Sequence, residues 1–141
     1  MRMQRFFTLQ EAEALIPKLE LIYGRIIGLL ERAAQKSEQA KELESGSEES
    51  ALDALLARSQ NDFLHNQINE QLREVMKLGA IPKGFDPCLV DFPHLAGGQE
   101  VYLCWKEGEQ GIDYYHGVHE TYKDRKPLSG KALLKRIFGE E

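Results

Sequence analysis

The apolar residues of this chain change their period near residue 80, and that change limits the folds open to it. Upstream they recur every three or four positions, as on one side of a helix; from Cys88 onward they alternate with a period of two, as on a strand. A chain that switches in this direction reads as helices followed by a sheet, α+β in class.

The helical half divides into recognisable pieces. Thr8-Leu9-Gln10-Glu11 has the form of a capping box, with the Thr8 hydroxyl on the Glu11 amide and the Glu11 carboxylate returning to the Thr8 amide. Pro17 then falls inside the apolar pattern, where a continuous helix would lose a hydrogen bond and clash with its preceding turn, at about 3 kcal/mol. A short helix, a kink and a new helix with Pro17 in its first turn avoid that cost. Leu15, Leu19, Ile22, Ile26, Leu29 and Ala33 form a seam of alternating three and four spacing, with Ile16, Tyr23, Ile27 and Leu30 as a second stripe beside it. Residues 36–50 lose this periodicity and read as a solvated helix end with a turn at Ser45-Gly46-Ser47. A second long helix follows from about Glu48 to Leu78, stopped by Gly79. Together these predict a long antiparallel hairpin over about residues 8–79.

Ala80 to Pro87 carries two prolines and a glycine and is expected to be irregular. Cys88–Phe92, Glu100–Lys106 and Ile112–His116 then read as a three-stranded antiparallel meander over about 88–116, joined by glycine-bearing loops. Centring the first loop on Ala96 sets Leu89 opposite Leu103, Asp91 opposite Val101 and Cys88 opposite Cys104. Both faces of such a sheet are largely apolar, so one is expected to meet the helices and the other a second copy of the chain. Residues 117–141 read as a basic tail, with Ser129 capping a short helix from Gly130 to Phe138. From Lys123 to Arg136 six basic residues oppose the single acid Asp124.

Composition adds exclusions. A length of 141 residues suits one domain with its own core, and the net charge of −5 argues against a dedicated nucleic-acid binder. The N-terminal stretch lacks the apolar run of a secretory signal, and no window approaches the ~20 apolar residues of a membrane span. Two cysteines are too few for a disulfide framework, so both are expected to be reduced, in the cytoplasm.

Few residues could carry chemistry. His116 and His119, with Glu120, place two imidazoles and a carboxylate within five residues, which could begin a divalent metal site, although the order is not the HExxH of metalloproteases. Two exposed loop histidines are the alternative. Cys104 lies mid-strand, where it packs as a small hydrophobe. Asp91 sits between Val90 and Phe92, and a carboxylate among core residues needs a partner. Arg125 and His116 are the natural candidates, with Glu109 near the rim. Either this is a site, or it is a structural ion pair that ties the basic tail to the sheet.

The segments LVDFP (89–93) and EVYLCWKEGE (100–109), and the His116 to Arg125 spacing followed by Lys126-Pro127-Leu128, resemble the prokaryotic domain-of-unknown-function family DUF 2203. The opening FTLQEAEALIP is similar too, so the resemblance covers nearly the whole chain. That family has no assigned activity; the resemblance implies positions to watch, namely Asp91, Trp105, Glu109, His116 and Arg125. The chain departs from the family pattern at Cys88, where Gly is usual, and around His119-Glu120-Thr121, which counts against Cys88 and His119 in any shared site.

The leading expectation is therefore a homodimeric interaction or ligand-binding module without a catalytic cycle of its own, away from membranes. The competing one is a small metal-dependent enzyme using His116 with Glu109 or Asp91. Nucleic-acid contact through the basic tail is opposed by the acidic hairpin and by the lack of an aromatic-interleaved basic stretch.

Overall fold

A computed structural model describes residues 5–128, which divide into two compact units: residues 22–74, and residues 5–21 together with 75–128. The expected C-terminal helix from Gly130 to Phe138 lies outside the described residues. Three helices come first: α1 (Leu9–Ala14), α2 (Ile16–Glu44) and α3 (Glu48–Lys77). The Thr8 capping box forms as expected, with Glu11 N–H donating to Thr8 Oγ1 at 3.0 Å and Thr8 N–H to Glu11 Oε1 at 2.9 Å. The break before Pro17 is real: α1 ends at Ala14, and Pro17 occupies the first turn of α2, where its missing N–H is not needed.

In the helical unit, Ile22, Tyr23, Ile26, Ala33 and Ala40 of α2 and Ala54, Ala57, Leu64 and Ile68 of α3 are buried. Toward the hairpin tip the buried residues are alanines. Glu44 and Arg58 clasp there in an exposed ion pair. No helix among the described residues is long and apolar enough to cross a membrane.

The second unit holds a five-stranded antiparallel sheet in sequence order: β1 (Ile81–Phe85), β2 (Cys88–Ala96), β3 (Gln99–Lys106), β4 (Tyr114–Gly117) and β5 (Lys126–Pro127). The two outermost strands were not expected. β1 arises from the stretch read as irregular because it is an edge. Pro82 needs no donor on an open side there, and a bulge between Pro82 and Gly84 absorbs Lys83 as an extra residue. β5 is only a two-residue bridge to Tyr114 and Tyr115.

The register of β2 and β3 also differs from expectation. Gly97 and Gly98 have φ of 61° and 85°, the doubly positive pair of a two-residue hairpin turn. The turn therefore centres between them rather than on Ala96, and Asp91 pairs with Cys104 and Leu89 with Lys106. Cys88 is not opposite Cys104; it pairs with Phe85. The slip is odd, so it exchanges the faces of β3 relative to β2. One face now carries Asp91, Tyr102, Cys104, Lys106, Tyr114 and His116, and the other Val90, Phe92, His94, Val101, Leu103 and Trp105.

The second of these faces is the core of the unit. Phe7 meets Phe92 edge-on, its backbone N–H donates to Pro93 O at 2.7 Å, and its carbonyl accepts from His94 Nδ1 at 2.6 Å. Glu13 of α1 accepts the Ile112 N–H at 2.9 Å. The chain's own cations cover part of the first face. Lys83 lies 5.2 Å above the Tyr102 ring and Arg125 lies 3.9 Å above Tyr114.

Candidate functional site

Three adjacent strands bring three chemically capable side chains together on the first face. Asp91 of β2 is directly across from Cys104 of β3, and His116 of β4 pairs with Tyr102, one step along the same face. All three are buried, Asp91 to 1% exposure. His116 Nε2 lies 3.0 Å from Asp91 Oδ2, and the carboxylate, thiol and imidazole donor atoms fall within 4.8 Å of one another.

The proton inventory of this group follows from geometry. His116 Nδ1 is 2.9 Å from the Gly117 carbonyl, which can only accept, so Nδ1 carries a hydrogen. The hydrogen bond between Nε2 and Oδ2 then holds one further proton, shared between base and acid. Burial raises the Asp91 pKa, against the opposing pull of His116, which favours the carboxylate. Burial, with the Asp91 charge beside it, pushes the Cys104 thiol up to about 12, so without a cation it stays neutral. Asp91 Oδ1 has no hydrogen-bond partner.

Arg125 does not join Asp91. Its Nη2 donates to Glu109 Oε2 at 2.7 Å, and its guanidinium also lies 5.1 Å from the Tyr122 ring. The other Glu109 oxygen accepts the Lys106 N–H at 2.7 Å, and the Glu109 carbonyl accepts the Trp105 indole N–H at 2.8 Å. Glu109 is thus fully engaged as a clasp and is not a free base beside His116. Lys106, Glu109, Tyr114, Tyr122, Lys123 and Arg125 line a cavity of about 320 Å³. His119 is exposed and lies apart from His116's donor group. Its neighbour Glu120 caps the turn instead, accepting from Gly117 N–H at 2.7 Å and from Lys126 Nζ at 2.6 Å.

The description "Uncharacterized conserved protein (DUF2203)" matches residues 5–128 of the chain. The chain belongs to the DUF2203 family. No curated protein and no solved structure matches it. Of the DUF2203 positions that the resemblance pointed to, Asp91 and His116 meet directly. Glu109 and Arg125 form a neighbouring pair, while Trp105 is wholly buried on the opposite face and supports the Glu109 turn. Cys104 was missed because the expected register put it across from Cys88; a turn centred on Gly97-Gly98 would have set it beside Asp91. His94 was missed as well. It is 1% exposed, and its single polar contact is to the backbone of Phe7, a structural role.

Proposed function

We propose that this DUF2203 chain is a binding module, working in the cytoplasm, whose sheet unit takes a small anionic ligand in the cavity beside Arg125. The carrying observation is the state of Arg125. Its side chain is only 9% exposed, Nε has no partner, and one edge alone is held by Glu109. A guanidinium held against the Tyr114 ring and near Tyr122, beside Lys106 and Lys123, is preorganised for a carboxylate or phosphate. With three cations against Glu109, the lining keeps a surplus of positive charge inside a chain of −5. Calorimetric titration with inorganic pyrophosphate and with citrate tests this reading. We expect saturable binding, weakened about tenfold in Lys123→Ala, because a hydrogen bond to a charged group contributes roughly 1.5–3 kcal/mol. Lys123 is exposed, so its loss leaves the fold intact. Absence of binding by either anion would remove the proposal.

A second observation favours self-association, through the helical unit. Leu52, Leu55, Leu56 and Phe63 of α3 are 59–71% exposed at helical spacing, an apolar stripe that a second copy would cover. An obligate homodimer formed there should bury at least ~2,000 Å² in total. Light scattering at micromolar concentration is expected to give twice the chain mass, and the single-chain mass in Leu56→Glu. A monomeric wild type would end this reading.

A further inference from the structure

We propose that Asp91, Cys104 and His116 form a metal site for a zinc-class divalent cation, going beyond the anion cavity and independent of it. Carboxylate oxygen, cysteine sulfur and imidazole nitrogen are the three donor types that Zn²⁺ accepts, and three protein ligands with one open position is its usual arrangement at reactive sites. The donors come from three neighbouring strands rather than from a loop, so their backbone positions are held by the β2, β3 and β4 ladders. In a tetrahedral site ligand atoms stand roughly 3.3–3.7 Å apart. The observed donor atoms, within 4.8 Å of one another, are at most about an ångström wider than that.

Two further details fit a cation better than they fit a structural pair. The Gly117 carbonyl takes the Nδ1 hydrogen of His116, which turns Nε2 inward and fixes it as the coordinating nitrogen. Asp91 Oδ1 is left without a hydrogen bond in a residue 1% exposed, a cost that a bound cation would relieve. A structural ion pair accounts for Oδ2 and Nε2 but leaves Oδ1 unpaired. The charges also balance. A dication with one carboxylate, one thiolate and one neutral imidazole has no net charge, so the site can remain buried. On binding, the S–H bond of Cys104 gives way to a metal–sulfur bond. That proton and the one shared by Asp91 and His116 leave to solvent.

The test uses the full chain, stripped with a chelator and titrated with Co²⁺ as a coloured substitute for Zn²⁺. We expect a thiolate-to-cobalt charge-transfer band that saturates at one ion per chain and is bleached by stoichiometric zinc. Cys104→Ser should lose that band, His116→Ala and Asp91→Asn should weaken binding at least tenfold, and Cys88→Ser should retain it. Zinc should raise the melting temperature of the wild type and not of Cys104→Ser, with circular dichroism checking each fold. A wild-type protein that is folded and shows no saturable band overturns the proposal without reference to any variant. A band that persists in Cys104→Ser overturns it as well.

Discussion

Asp91→Ala is expected to destabilise the metal-free protein by about 3 kcal/mol, whereas Asp91→Leu combined with His116→Leu should recover most of that loss. The single change strands His116 Nε2 in a place that water does not reach, and an unsatisfied buried polar group costs roughly 1–3 kcal/mol. If the pair is ionised, the orphaned charge costs more, about 3–5 kcal/mol. The double change removes both halves, and buried ion pairs replaced by apolar side chains of similar size are often no less stable. Urea unfolding in the presence of a chelator measures both. A single variant as stable as wild type would show that Asp91 and His116 are not coupled. A double variant as unstable as the single one would show that the pair itself holds the sheet together.

Trp105→Ala is expected to lose about 3–5 kcal/mol, the range for deleting a fully buried large aromatic side chain. Trp105 is the only tryptophan, so the unfolding of this variant must be followed by circular dichroism rather than by indole fluorescence. Its effect should extend across the sheet. The indole N–H holds the Glu109 carbonyl, and the Glu109 carboxylate in turn holds Arg125 and the Lys106 amide. Trp105→Phe keeps most of the apolar volume but removes that hydrogen bond. It should cost about 1–2 kcal/mol while weakening anion binding at Arg125. Unaltered anion affinity in a folded Trp105→Phe protein would mean that the turn is positioned by other contacts.

The helical half was readable because its signals are local. A capping box closes within four residues, Pro17 acts on its own turn, and the loss of periodicity before Glu48 marks the hairpin tip without reference to anything distant. The site was half-readable. An aspartate flanked by Val90 and Phe92 announces that it needs a partner, and His116 was among the candidates that the chain offered. Its alternative, Arg125, was taken by Glu109, and no composition or spacing argument distinguishes those two carboxylates. Cys104 looked like core filler because a cysteine between Leu103 and Trp105 is apolar by its neighbours in sequence. Its neighbour in space is the Asp91 carboxyl.

What the chain's residues determined unaided was the class of fold, the long hairpin, the alternating strands and the need to compensate Asp91. Each follows from short-range backbone geometry or from the desolvation of one charge. What only the tertiary structure decided was which side chains meet. The side-chain period of a strand is two, so a three-residue difference in register moves every residue of β3 to the opposite face. The placement of the Gly97-Gly98 turn, with both residues at positive φ, thereby selects the neighbours of Asp91. With the turn centred on Ala96 those neighbours would be valine and leucine. With it centred between the glycines they are a thiol and an imidazole, and the buried carboxylate becomes one corner of a donor triangle.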